Sequence, residues 1–111
     1  MLELIINKET DNMKKAALIN EQLDMIRATL IRQTMFAEFE KTVHEKIELN
    51  ESLTSENLNE IYYNLVKKYF GKDVIIDEDI KYEWARIPHF YRAFYVYKYA
   101  TGIISAITIA E

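Results

Sequence analysis

Residues 89–99 read His89-Phe90-Tyr91-Arg92-Ala93-Phe94-Tyr95-Val96-Tyr97-Lys98-Tyr99, the stretch of this chain richest in groups that could do chemistry. Tyr91, Tyr95 and Tyr99 recur every four residues, a spacing that predicts one face of a helix. His89 falls at or just before the start of that helix, where the dipole disfavours an imidazolium. A neutral imidazole and phenolic hydroxyls are donors that can stabilise an oxyanion or grip a carbonyl. The competing account is an aromatic core strip whose hydroxyls reach backbone groups, and residue type alone favours it.

A second candidate is His44-Glu45-Lys46-Ile47-Glu48, which reads H-E-x-x-E. In H-E-x-x-H, two imidazoles one helical turn apart bind zinc and the glutamate activates water. Here Glu48 replaces the second imidazole, so the turn offers at most two ligands. It reads as a solvated helix end, and no metal ligand is assigned in this chain. Arg27, Arg32, Gln33, Glu38 and Glu40 interrupt an otherwise apolar stretch. Glu38 and Glu40 fall on a mostly polar face suited to ion pairs. Arg32 and Gln33 fall where the apolar stripe turns, so burial would oblige them to find partners.

The elements that must position these groups are helices. Two glycines and one proline in 111 residues leave few breakers. Asp11 or Asn12 can cap a helix from Met13, with Ala16, Ile19, Leu23, Ile26 and Leu30 as its stripe. Past Arg32 the stripe becomes Phe36, Phe39, Val43 and Ile47, rotated by roughly 135°. The helix either kinks near residues 32–34 or runs on to about Glu48, buried on two sides; the absence of a breaker favours the continuous form. Thr54 can cap a second helix with Leu58, Ile61, Tyr62, Leu65 and Tyr69 inward, closed by Gly71. Val74-Ile75-Ile76 reads as an extended link that buries itself. Asp77 can cap a short helix from Glu78 to about Arg86, ended by Pro88. The last helix is expected from His89 or Phe90 onward, with Gly102, Ala106 and Ala110 as a smooth strip. Its apolar run stops at Glu111 without a capping signal, as in a helix buried inside a larger body.

Composition narrows the classes. The net charge of −4 is spread along the chain with no basic stripe, which argues against nucleic acid. No cysteine is present, which excludes disulfides and thiolate metal sites and accords with a reducing compartment. The first nine residues lack the basic start and apolar run of a signal peptide. The uncharged run from Tyr99 to Ala110 falls short of the about 20 residues a membrane span needs. The expectation is an all-α single partial domain over residues 1–111: one long helix, a second, a short one and an aromatic-rich last one.

Two long strings then carry a resemblance. Arg27-Ala28-Thr29-Leu30-Ile31-Arg32-Gln33-Thr34-Met35-Phe36-Ala37-Glu38-Phe39-Glu40 resembles the R-x-T-x-x-R-Q-T-M-F-A-E-F-E segment of the oligoendopeptidase F family, within the thimet-type zinc metallopeptidase clan. Glu83-Trp84-Ala85-Arg86-Ile87-Pro88-His89-Phe90-Tyr91 resembles its E-W-A-R-I-P-H-F-Y segment, and Phe94 to Gly102 continues it. The likeness runs from about Leu18 to the chain end and includes Tyr69-Phe70-Gly71.

The resemblance implies part of a cytoplasmic zinc endopeptidase that cuts short peptides in a helical channel. The family's zinc ligands, two histidines of H-E-x-x-H and a later glutamate, match nothing here and are expected upstream. Zinc is therefore expected in the full-length enzyme and not in this segment. The resemblance also implies that His89 and Tyr91 act at the oxyanion, and that His89, Tyr91, Tyr95, Tyr97 and Tyr99 meet the peptide. It reverses the preference for a core strip. In thimet-type relatives a glycine-rich loop separates the histidine from the first tyrosine, whereas here only Phe90 does. The alternative is a non-catalytic helical module acting by association. As an isolated chain, the apolar last helix is expected to drive formation of a homo-oligomer.

Overall fold

Local signals start and stop most of the elements. In the computed structural model, which describes residues 2–110, the order is α1 (Leu2–Lys8), α2 (Asn12–Ile26), a π turn (Arg27–Ile31), α3 (Arg32–Glu48), α4 (Ser55–Phe70), 3-10 segments at Glu78–Arg86 and Pro88–Tyr91, and α5 (Tyr97–Ala110). Asp11 caps α2, its Oδ1 accepting from the Met13 and Lys14 N–H groups at 2.8 and 3.2 Å. Thr54 caps α4 through the Asn57 N–H, and the Asn57 side chain returns to the Thr54 N–H. This reciprocal box satisfies two otherwise orphaned donors and contributes about 1 kcal/mol. Gly71 ends α4 at φ 78°, where any β-carbon would be strained.

The all-α expectation holds among the described residues, with differences in detail. The long helix is continuous from Asn12 to Glu48 but widens into one π turn, in which the Arg32 N–H bonds the Arg27 carbonyl five residues back. Its two stripes have different fates. Phe36 and Phe39 are buried, while Ile19 and Leu23 on the first stripe stay exposed. The N-terminal helix α1, which carried no sequence expectation, buries Ile6. Ile75 is 100% exposed and Val74 about half so; only Ile76 of that trio packs on the core, so the link does not bury itself. Residues 78–86 wind as a 3-10 segment, not an α-helix, capped by Asp77 Oδ1 on the Asp79 N–H.

The core sits where α3, α4 and the two 3-10 segments meet. Met35, Phe36, Phe39, Tyr62, Leu65, Val66, Ile87 and Val96 form it. Phe39 meets Tyr62 edge-on at 5.3 Å, and Phe90 reaches Phe36 and Phe39 at 5.5 and 5.2 Å. Ring pairs of this geometry add about 0.5–1.5 kcal/mol each beyond area burial. The largest correction concerns the C-terminal third. The last helix does not begin at His89 or Phe90: the chain turns at Arg92–Tyr95, and α5 starts only at Tyr97. Phe94 breaks the helix at φ 55°, stabilised by a contact distant in sequence. Of α5, Ala100 is buried, whereas Ile104, Ile107 and Ile109 are exposed, as is the strip of Gly102, Ala106 and Ala110. Glu111 lies outside the described residues.

Candidate functional site

The segment 87–96 is pinned by its apolar residues and presents its polar ones. Ile87 and Val96 are buried at its two ends, and Phe90 packs on the core between them. His89, Tyr91 and Tyr95 fall between these anchors, and Tyr97 follows Val96 at the start of α5. His89 lies in the short 3-10 turn from Pro88 to Tyr91, so the helix-dipole argument made for it does not apply.

Three of the candidate residues converge. The His89 ring stacks on Tyr95 at 5.6 Å and meets Tyr99 edge-on at 5.9 Å. The Tyr99 hydroxyl donates to the Tyr95 hydroxyl at 3.3 Å. The Lys98 ammonium lies 3.6 Å from the centre of the Tyr95 ring and Arg92 5.7 Å from it. All three converging side chains are half-exposed, and a cavity of about 220 Å³ opens between Pro88, His89, Arg92 and Tyr95. The ammonium of Lys98 and the hydrogen bond from Tyr99 hold the Tyr95 phenol below the usual tyrosine range. Donating to Tyr95 pushes Tyr99 up. Tyr95 is thus the stronger acid of the pair. Tyr91 and Tyr97 are 84% and 55% exposed and make no aromatic pair among the described residues.

Beneath this face lies a polar frame. Glu83 is 8% exposed and takes Arg32 at 2.5 Å and Arg86 at 2.9 Å on Oε1, and the Tyr62 hydroxyl at 2.6 Å on Oε2. Burial alone would push Glu83 up, but the Tyr62 hydrogen bond and the guanidinium groups outweigh it and hold the carboxyl below its usual range. Burial and the same bond push the Tyr62 phenol well up. The Trp84 indole N–H donates to Asn59 at 2.8 Å. Together these tie residues 78–86 to α3 and α4, and so place Ile87 and His89.

Several residues stand elsewhere than sequence reasoning put them. Arg32 has the partner it was expected to need, Glu83, but Gln33 has only a long 3.4 Å bond to Ala28 O, and its Oε1 is buried without a partner. Glu38 pairs across helices with Lys68 and Tyr69. Glu40, in contrast, is no surface charge: it is 6% exposed. His44 is half-buried with its ring 4.7 Å from Phe94, while Glu45 pairs with Lys41. Among the described residues no three His, Asp or Glu side chains converge to hold a metal. The buried role of Glu83 has one local sequence signal, its place three residues before Arg86.

Comparison with known proteins gives one consistent answer. The model of "Peptidase family M3" matches residues 2–111. The chain is 48% identical over 104 residues to "Oligopeptidase PepF" of Bacillus subtilis (strain 168), covering 94% of this chain and 16% of that protein. It is 45% identical over its whole length to "Oligoendopeptidase F, plasmid" of Lactococcus lactis subsp. cremoris, covering 18% of that protein. The crystal structure of oligoendopeptidase-F from Enterococcus faecium superposes with a TM-score of 0.95 at 43% identity, covering 98% of this chain and 21% of that one. The chain therefore spans about one sixth to one fifth of the length of these relatives. With the two segments first read in its sequence now matched across the whole chain, it belongs to peptidase family M3, among the oligoendopeptidase F proteins.

Proposed function

We propose that this chain is one part of a longer cytoplasmic zinc oligopeptidase, and that its 89–99 face binds short peptides and donates to the developing oxyanion. The convergence of His89, Tyr95 and Tyr99 beside an open cavity carries this reading. Such groups, half-exposed and held by a packed frame, can hydrogen-bond a peptide carbonyl without reorganising. His89 and Tyr91 are the proposed oxyanion donors. The high exposure of Tyr91 is consistent with that role, and Tyr95, Tyr97 and Tyr99 are proposed to extend the peptide-binding surface. The metal belongs to residues outside this segment. The absence of cysteine accords with a cytoplasmic location.

Steady-state kinetics of the full-length enzyme tests this. We expect His89→Ala and Tyr91→Phe each to lower kcat by about 10²–10³, the usual loss for one oxyanion donor, with zinc content and thermal midpoint kept. Wild-type kcat in both would return the face to a packing role.

The exposed isoleucines of α5 favour a second reading, association of the isolated chain as a homo-oligomer or helical module. Light scattering behind a sizing column is expected to give at least a dimer mass at micromolar concentration. A concentration-independent monomer would exclude it.

A further inference from the structure

Glu40 and Glu83 are both buried, but only Glu83 is saturated with partners. Glu40 Oε1 accepts the Phe94 N–H at 2.5 Å, across 54 residues of sequence, and its Oε2 has no partner. Phe94 is the residue of the Arg92–Tyr95 turn with φ 55°. That left-handed conformation crowds a β-carbon against the following carbonyl, so a phenylalanine holds it only where the surroundings over-determine it. Two features of α3 do so. Glu40 takes the backbone N–H, and His44, one helical turn along the same face, takes the ring at 4.7 Å. The turn lies between two of the converging donors: His89 precedes it and Tyr95 closes it through its own N–H to Arg92 O at 3.1 Å.

We propose that Glu40 is a positioning residue that fixes the Phe94 turn and thereby the placement of Tyr95 against His89. It acts through one backbone N–H, the sole hydrogen bond its carboxylate makes among the described residues. A shift in that peptide plane would carry Tyr95 off the His89 ring and alter the 220 Å³ opening that the two share with Arg92. The inference rests on the reading of this face as peptide-binding.

The test uses the full-length, metal-loaded enzyme. Glu40→Leu removes the acceptor, Glu40→Gln keeps an oxygen at the same reach, and Glu40→Asp withdraws it by one methylene. For each variant, kcat and KM are measured on a fluorogenic peptide, and amide exchange is followed over residues 91–96. In Glu40→Leu we expect exchange at Phe94 at least tenfold faster and kcat at least tenfold lower, with KM within threefold. Glu40→Gln should stay within threefold of wild type throughout. Adding Phe94→Gly to Glu40→Leu should recover kcat at least threefold, because glycine reaches positive φ without a crowded β-carbon; a mere packing defect would worsen when a second side chain is lost. Unchanged exchange and unchanged kcat in Glu40→Leu would overturn the inference. So would faster exchange at Phe94 with wild-type kcat: a slow His89→Ala or Tyr91→Phe would then leave the functional reading standing, and wild-type kcat in both would remove that reading too. If Glu40→Leu does not fold, Glu40→Asp decides, with kcat at least threefold lower expected and wild-type kcat overturning.

Discussion

Two neighbouring regions of this fold use the same residue types to opposite ends. Around Glu83, two arginines and a tyrosine hydroxyl converge on one carboxylate and leave neither of its oxygens free. The rings nearby, Phe36, Phe39, Tyr62 and Phe90, interlock at 5.2–6.3 Å in and against the core. Around His89, rings pack at the same distances, but half-exposed and beside a cavity. Hydroxyls there meet each other and not a backbone group. Polar groups that are saturated and buried specify one geometry and hold it. Groups held in place but left open to solvent can take up an external carbonyl. Glu40 stands between the two regimes, buried like Glu83 and only half-satisfied.

The first way to break this comparison is to remove Glu83. Glu83→Ala leaves the Tyr62 hydroxyl buried without its acceptor and Arg32 without its partner. Breaking a buried pair in this way costs about 3–5 kcal/mol, and because the Arg32 side chain is 35% exposed the lower end applies. Urea unfolding of the full-length protein is expected to show a loss of about 3 kcal/mol. A loss under about 1 kcal/mol would mean that ring packing, not the charge network, holds residues 78–86. The pH sign follows from the depressed carboxyl. Its contribution is present above the usual carboxylate range and disappears as pH falls through the lowered value.

A second experiment probes the open region. The Tyr95 phenol sits below the usual tyrosine value because of Lys98 and Tyr99. It donates only while protonated, so kcat is expected to fall on an alkaline limb below the ordinary tyrosine pKa of about 10. Tyr95→Phe should lower kcat and abolish that limb; Lys98→Met should move the limb upward. An identical limb in all three enzymes would assign it to another group.

How much of this was legible depends on the range of the interaction. Caps at Asp11, Thr54 and Asp77 and the stop at Gly71 act within four residues, and they were readable directly. The α4 face was mostly readable because one period runs through Tyr62 and Leu65. The break at Arg92–Val96 was not. A four-residue tyrosine repeat predicts a helix, and the turn that interrupts it is held by two side chains of α3, Glu40, 54 residues away, and His44. The same reach hid the burial of Glu40, whose helical position suggested a polar face. Ile75 misled in the other direction, since β-branched apolar residues were read as self-burying and this one is fully exposed. Of the five candidate residues at 89–99, the resemblance supplied the roles, while the structure separates His89, Tyr95 and Tyr99 from the outlying Tyr91 and Tyr97.

The smallest effect sharpens the comparison at its surface limit. Glu38 is a carboxylate with two partners, like a diluted Glu83: Lys68 at 2.5 Å and the Tyr69 hydroxyl at 2.7 Å. Its side chain is 33% exposed and that of Lys68 is 61% exposed, so water screens the ion pair. We expect Lys68→Met to cost less than about 0.5 kcal/mol and Tyr69→Phe about 1 kcal/mol, because the hydroxyl bond is the less exposed of the two. Lys68 and then Tyr69 hold Glu38 below the usual carboxylate range, while burial and Glu38 push the Tyr69 phenol up to about 12. A depressed carboxyl stabilises above its unfolded value and fails as pH falls; a raised phenol stabilises below its unfolded value and fails as pH rises towards 12. The link between α3 and α4 is therefore strongest between mild acid and about pH 10. Unfolding of wild type and Tyr69→Phe across that range should give a difference that is flat in the middle and shrinks at both ends. No difference at any pH would mean that Tyr69 acts through its ring, which phenylalanine keeps, and not through its hydroxyl on Glu38.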